Sequence, residues 1–400
     1  MIAGLLLAAA LASPQLAQTE REAATRLARS GHHAEALRRF QALASADPRD
    51  LEARIWVARL HNWLHHYAQA EQAFRGVLAE APDNVEALVG LGTSLAARAR
   101  MDEGLELLER AERLAPDDAD VLAALGRAHR FAGHTSLALG YYRRAEQLSP
   151  QDADIHEGLE HTERLHAHRL IVNVFDESFS RPSPASRSGA IELDYRLRDD
   201  LRVLTRAQTQ RKFDETDARA GGGLEWRADP RTTLSGLLLI GPGAEVLPRV
   251  DASAEADLYR GDWEPTARIR YFTFATARVW LLSPAVTFRR EDRAIGVHYH
   301  RSFTSFSGRR GWVGDNALAL RGSLRVQRRV WLDAGYAHGV DSFETLTVER
   351  LGRFRADTVA AGGRIDFGAL TSAGLVYERQ WRDDHSRMGR LSLSLVQRFR

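Results

Sequence analysis

His300 and Ser302 stand two residues apart in an alternating segment, so a pleated strand turns both to one face. A carboxylate beside that imidazole would complete the base and nucleophile of a hydrolase. A His-x-Ser spacing arises readily by chance, however, and the alternation sends both residues to the interior of a barrel, away from any lipid substrate. The chain is therefore read as non-enzymatic, without catalytic residues. His61, His65, His66, His156, His161, His166 and His168 raise a metal-binding alternative. They lack acidic partners at a ligand spacing, cysteine is absent, and solvated helix faces often carry histidine, so neither metal nor cofactor is expected. Gly221-Gly222-Gly223 lies in a strand, where it permits curvature or close packing. No glycine-rich phosphate loop or nucleic-acid motif is present, and nucleic acid is not an expected partner.

The remaining chemistry is charge on one face of alternating segments. Glu192, Asp194 and Arg196 oppose Arg202, Arg206, Gln208 and Gln210 on the next segment, and Asp251, Glu255 and Asp257 sit beside Arg268 and Arg270. Arg321 and Arg325 share their face with Ala319, Ser323 and Gln327, while Leu318, Leu320, Leu324 and Val326 take the other. Trp280, Leu282, Val286 and Phe288 oppose Ser283 and Thr287 in the same way. Two readings stand side by side: matched cross-strand ion pairs that fill and stiffen a lumen, and a polar path for a hydrophilic polymer with arginines as rungs. Tyr195, Trp226, Tyr271, Trp312 and Tyr377 fit interfacial girdles better than sugar-stacking surfaces.

Such faces require strands closed on themselves, because only closure satisfies every backbone group while hiding charge from lipid. Alternation marks about fourteen strands, with roughly 12 to 16 as the range. They fall near 170–178, 189–197, 201–211, 219–227, 231–240, 249–259, 265–274, 278–289, 293–303, 315–327, 330–339, 356–367, 370–380 and 389–399. Links after even-numbered strands are tight, such as Arg198-Asp199-Asp200, Ala228-Asp229-Pro230 and Arg328-Arg329. Most links after odd-numbered strands are longer, including 181–188, 213–218, 304–314 and 341–355, the asymmetry of an outer-membrane barrel with short periplasmic turns.

Ahead of the strands, Pro48, Pro82, Pro116 and Pro150 recur every 34 residues, the tetratricopeptide period. Ala36 and Phe40, Ala70 and Phe74, Gly104 and Leu108, and Ala138 and Tyr142 fall at matching places in the second helix of each repeat; Leu91-Gly92 and Leu125-Gly126 match in the first. Small residues let antiparallel helices approach, an aromatic or Leu plugs the adjacent groove, and Pro stops the second helix. The repeats cover about 19–152, with 156–168 as a capping helix. They offer a face for a periplasmic protein partner; Trp56, Trp63 and Tyr67 either line that face or pack in the core.

The expected organisation is a signal peptide at 1–18, periplasmic repeats at 19–168 and an outer-membrane barrel at 169–400. The apolar Met1–Ala12 run and the small residues ending at Ala17 suggest secretion, although no Lys or Arg precedes the run. Formal net charge is +2 and Lys212 is the only lysine, so charge selects no partner and the arginine excess reads as codon bias. The fold class is a multidomain α + β chain, an α-solenoid followed by an antiparallel transmembrane β-barrel, with outer-membrane lipid as its surroundings.

Residues 330–339 (VWLDAGYAHG), the following 344–355 loop, Gly362-Gly363, Tyr377-Glu378-Arg379-Gln380 and the final strand resemble the YaiO-type outer-membrane β-barrel family; 312–321 and 175–181 are also similar. The resemblance spans most of 170–400 and implies an outer-membrane location, without implying a substrate or catalytic residues. By architecture the chain also looks like exopolysaccharide export porins, in which tetratricopeptide repeats precede a barrel. Envelope polysaccharide secretion or assembly is the expected role, with polysaccharide as a candidate ligand; a non-conducting anchor and scaffold is the alternative, and a barrel lipid hydrolase the third reading.

Overall fold

A computed structural model describes residues 14–98, 100–180, 185–212, 214–290, 292–339 and 355–399. Most of the expected signal peptide and of the 341–355 loop lie outside the described residues. The chain divides into two compact units, Met1–Thr162 and Glu163–Arg400.

The described residues of the first unit form helices α1 (Pro14–Arg29), α2 (His33–Ala46), α3 (Leu51–Trp63), α4 (Tyr67–Glu80), α5 (Val85–Ala97), α6 (Met101–Leu114), α7 (Ala119–Ala132) and α8 (Thr135–Leu148); α9 (Ala153–His166) runs across the division. Each even-numbered helix buries its expected small residue and plug. Ala36, Ala70 and Ala138 are inaccessible, as are Phe40 and Leu108, with Phe74 and Tyr142 nearly so. Glycine is required where a ring lies against backbone: a Cβ on Gly126 or Gly158 would come within 2.9 or 2.4 Å of the Tyr142 ring.

After every repeat proline, a short polar residue starts the next helix. The side chains of Asp50, Asn84, Asp118 and Asp152 accept from the backbone N–H groups of Ala53, Ala87, Val121 and Ile155 at 2.9–3.1 Å. Each such cap contributes about 1 kcal/mol. Trp56 stacks on Phe40 at 5.1 Å and belongs to the core, whereas Trp63 remains 40% exposed.

Adjacent repeats are also joined by charge. The buried Glu71 carboxylate meets Arg75 at 2.5 Å, Arg100 at 2.7 Å, and Arg98. Burial alone would raise its pKa, but the Arg100 hydrogen bond and the charges of Arg75, Arg100 and Arg98 outweigh burial and hold it below the ordinary carboxylate value. A depressed carboxylate stabilises the fold above its unfolded pKa, near 4.5, and this contribution disappears as pH falls through the lower native value. Glu71→Ala is expected to destabilise the repeats by about 2 kcal/mol, less than a fully buried pair because the arginines reach water. Thermal melting followed by the helical circular-dichroism signal checks this; a midpoint equal to the parent's at pH 7 contradicts it.

The second unit contains strands β1 (His168–Phe179), β2 (Ser186–Arg198), β3 (Leu201–Lys212), β4 (Glu215–Asp229), β5 (Thr232–Ile240), β6 (Val250–Leu258) and β7 (Trp263–Thr273). It continues with β8 (Ala277–Arg290), β9 (Arg293–Phe306), β10 (Val313–Gln327), β11 (Val330–Gly339), β12 (Ala356–Asp366), β13 (Thr371–Arg382) and β14 (Arg387–Phe399). Every strand pairs antiparallel with its neighbours in sequence, and β14 pairs with β1 to close the barrel. The links after even-numbered strands lie at one end, called here the turn end; the others lie at the loop end.

One expected long link, 213–218, is not a loop. Glu215 to Ala218 continue β4 opposite β3 as far as the Lys212–Glu215 pair, leaving a two-residue hairpin. The glycine run follows the expectation of close packing. A Cβ on Gly221 or Gly223 would lie 1.8 or 1.9 Å from a β5 carbonyl oxygen, so β5 crosses β4 at a distance no side chain permits.

The pleat separates the two faces. Ile191, Leu193, Leu224, Leu238, Ile269, Leu282, Val297, Leu318, Leu320, Leu332, Leu375, Leu391, Leu393 and Leu395 point outward and are exposed. Aromatic residues flank them: Tyr195, Trp226 and Trp263 toward the turn end, and Trp280, Tyr299, Tyr336 and Trp381 toward the loop end. Tyr271 packs against Trp280 with ring centres 4.7 Å apart, and Trp312 lies exposed in the β9–β10 link.

Candidate functional site

The lumen-facing side chains differ sharply between the two ends. At the loop end they are packed. Phe272, Phe274, Ala277, Val279, Leu281 and Ala317 form one buried apolar cluster, with Phe306 against it. At the same end, Arg390 donates to Glu177 at 2.7 Å and to Glu378 at 2.7 Å, and both Arg390 and Glu177 are buried. Lys212, the single lysine, is also buried, its ammonium 4.8 Å from the centre of the Phe179 ring.

A loop completes this packing. Residues 241–249 join β5 to β6, and Asp217 of β4 holds them: one carboxylate oxygen accepts from the backbone N–H groups of Glu245, Val246 and Leu247 at 3.0, 2.6 and 2.7 Å. Three N–H groups converging on an ionised acceptor form a charge-assisted clamp. Ala244, Val246 and Leu247 are buried as a result. Gly241 lets the loop leave close to β4, where a Cβ would stand 2.8 Å from the Ala218 oxygen.

Below the clamp, Asp251 stands between two arginines. Arg219 reaches it at 2.7 Å and Arg270 at 2.5 and 2.7 Å, and Arg219 also donates to Gln208 at 2.7 and 2.9 Å. The Asp251 and Arg219 side chains are only 5 and 6% exposed. Fully hydrogen-bonded burial of this kind gives rigidity more than net stability, because desolvation offsets the Coulomb attraction.

The expected luminal residues separate into several groups. Glu192 pairs with Arg206 at 2.5 Å, and Glu255 with Arg268. Asp257 lies opposite Thr266, close to Arg268 and hydrogen-bonded to Glu255, while Glu255 and Asp251 form the ion pairs with Arg268 and Arg270. Asp194 bonds Arg169 of β1 at 2.8 Å rather than an arginine of β3. Arg196 and Arg202 face each other across β2 and β3; Arg202 bonds the carbonyls of Leu165 and Ala167 at 2.7 and 3.0 Å, and Arg196 also bonds Leu165. These two like charges thus bind the segment entering β1, a role that alternation does not reveal.

Toward the turn end, Arg321 and Arg325 are water-exposed. Arg325 and Arg364 lie 5.7 and 5.0 Å from the centre of the Trp331 ring, one on each neighbouring strand. The loop end is thus packed, whereas at the turn end the exposed Arg321 and Arg325 contrast with Asp194, Arg196 and Arg202, which are buried.

His300 and Ser302 do face the lumen, but the His300 Nδ1 atom bonds Ser283 of β8 at 2.8 Å, while Asp315 lies opposite Ser302. Among the described residues, no three His, Cys, Asp or Glu side chains converge as a metal site.

Residues 64–128 match the tetratricopeptide repeat family. Among solved structures, the chain is similar to a thermophilic tetratricopeptide-repeat protein of Thermus thermophilus, at 22% identity over 36% of this chain and 80% of that one, with a TM-score of 0.35. It is also similar to MamA from residue 41 onward of Desulfovibrio magneticus RS-1, at 25% identity over 37% of this chain and 83% of that one, with a TM-score of 0.31. No curated protein matches the chain.

Proposed function

We propose that this chain is an outer-membrane barrel of the YaiO type that carries protein-binding repeats in the periplasm, and that it works as a closed anchor and scaffold in envelope polysaccharide secretion or assembly. The observation that carries this reading is a closed barrel, apolar around its outer wall and packed at its loop end by ion pairs, aromatic residues and the loop clamped by Asp217. An outward apolar surface of this extent favours hydrocarbon over water. Among the described residues no helix is long and apolar enough to cross a membrane, so strands would make the crossing. Short turns at one end and longer loops at the other support an orientation with the turn end toward the periplasm. β1 starts at that end, directly after the repeats, which supports placing the repeats on the same side.

The packed loop end favours the anchor over an open conduit. The polysaccharide role rests on the YaiO-type resemblance and on the fusion of repeats to a barrel; the partner held by the repeats would perform the chemistry. Purified full-length protein in planar bilayers is expected to be silent at physiological salt. Steady conductance from the parent protein would overturn the closed-anchor reading. Deletion of the gene is expected to lower cell-surface polysaccharide, and unchanged polysaccharide under inducing conditions would remove that role.

A further inference from the structure

The repeat unit holds a duplicated feature that the proposed scaffold does not use. At the end of α3 and the start of α4, His61 meets His66; at the end of α7 and the start of α8, His129 meets His134. The pairs are related by two repeat periods. In each, the second histidine's backbone N–H donates to the first one's carbonyl, at 2.8 and 2.9 Å, which fixes the turn. The turn passes through the left-handed region at His65 in one pair and Gly133 in the other, with φ of 61° and 88°.

The imidazoles adopt nearly the same arrangement twice. The Nδ1 atoms are 3.4 Å apart in the first pair and 3.3 Å in the second, with ring planes inclined at 47° and 45°. Their surroundings differ, since His61 is half-buried while His129 is buried and stacked on Tyr141 with ring centres 5.4 Å apart. The shared geometry therefore comes from the turn.

A proton shared between the two Nδ1 atoms would make a long hydrogen bond at 3.3–3.4 Å, N–H···O bonds bringing their heavy atoms to about 2.7–3.2 Å. Two imidazole nitrogens bound to one tetrahedral zinc ion, each at about 2.0–2.1 Å, stand about 3.3–3.4 Å apart. We propose that each pair is a two-imidazole half-site for a divalent transition-metal ion of the zinc class, with water or a side chain of the docked protein completing the coordination.

Ligand chemistry supports the class. Imidazole donors suit Zn²⁺, Cu²⁺ and Ni²⁺, whereas Mg²⁺ and Ca²⁺ require oxygen ligands. Burial first, and then the neighbouring imidazole, holds His61 and His129 below the ordinary imidazole value; Glu109 and Glu112 oppose this more weakly at His129. Neutral rings with available lone pairs are the form a metal binds. With two protein ligands the coordination shell stays open, so binding is reversible and moderate. The equivalent turns Leu27–His32 and Leu95–Arg100 keep the backbone hydrogen bond, 2.9 Å in each, without a second imidazole.

The test uses untagged, full-length protein in detergent, freed of metal with a chelator and titrated with zinc chloride by calorimetry and by equilibrium dialysis. The expected result is two zinc ions per chain with micromolar affinity. His66→Gln should remove one, His66→Gln combined with His134→Gln should remove both, and His32→Gln should leave two. His66 and His134 cap their helices without side-chain cap bonds, so these variants should keep the parent's circular-dichroism spectrum. Undiminished zinc binding by the double variant, or none by the parent at millimolar zinc, would overturn the proposal. This outcome is independent of whether the barrel conducts.

Discussion

Asp217→Ala is expected to open the loop end of the barrel: in planar bilayers the variant should show discrete, steady conductance where the parent protein is expected to be silent. The effect follows from one carboxylate oxygen serving three backbone donors, at 3.0, 2.6 and 2.7 Å, inside the packed mouth. Each hydrogen bond to a charged group contributes about 1.5–3 kcal/mol. Their joint removal leaves the N–H groups of Val246 and Leu247 buried and that of Glu245 partly buried without an acceptor, so the 241–249 loop should recover its bonds by turning toward water. Apolar packing of Ala244, Val246 and Leu247 opposes release but lacks directionality once the clamp is lost. A second readout is digestion at Arg249, which trypsin should cut faster in the variant. A variant as silent and as trypsin-resistant as the parent would show that Asp217 does not hold the seal.

Asp251→Ala should destabilise the barrel by about 3–5 kcal/mol, because it leaves the positive charges of Arg219 and Arg270 without their shared carboxylate. Heat-dependent gel mobility of the detergent-folded protein measures the shift. Replacing the whole triad by Arg219→Met, Asp251→Leu and Arg270→Met should recover most of the loss, since the buried charges disappear together. This contrast separates the ion-pair account from simple loss of packing. An Asp251→Ala variant that melts with the parent would contradict it.

These predictions rest on contacts of unequal visibility in the sequence. The 34-residue recurrence of Pro48, Pro82, Pro116 and Pro150 and the matching Ala36, Ala70, Gly104 and Ala138 imply paired helices, because a repeated steric requirement leaves a repeated residue type. The capping residues Asp50, Asn84, Asp118 and Asp152 recur at the same interval and mark the helix starts as clearly, although the proline period draws attention first. The fourteen strands and their faces are likewise legible, since a half-buried strand must alternate. Some links look too long from sequence: β2 already begins at Ser186, β9 runs on to Phe306 and β10 begins at Val313, and in the β3–β4 link Glu215, Thr216 and Asp217 are polar and resemble loop, yet they pair with β3.

Alternation identifies the face a residue occupies but not its neighbour there. The neighbour depends on register, on the bulges near Arg196, Arg227 and Arg325, and on closure of β14 against β1. Hence Asp251 rather than Asp257 receives Arg270, and Arg196 and Arg202 meet as like charges to hold Leu165. The clamp on the 241–249 loop is further still from sequence, because Asp217 recognises the backbone of 245–247 and backbone N–H groups leave no trace in residue type. By itself the sequence determined the periodicities, and with them helices, strands and faces, because these are local requirements repeated along the chain; only the tertiary structure decided which charges meet and how the loop end fills, because those depend on residues brought together by barrel closure.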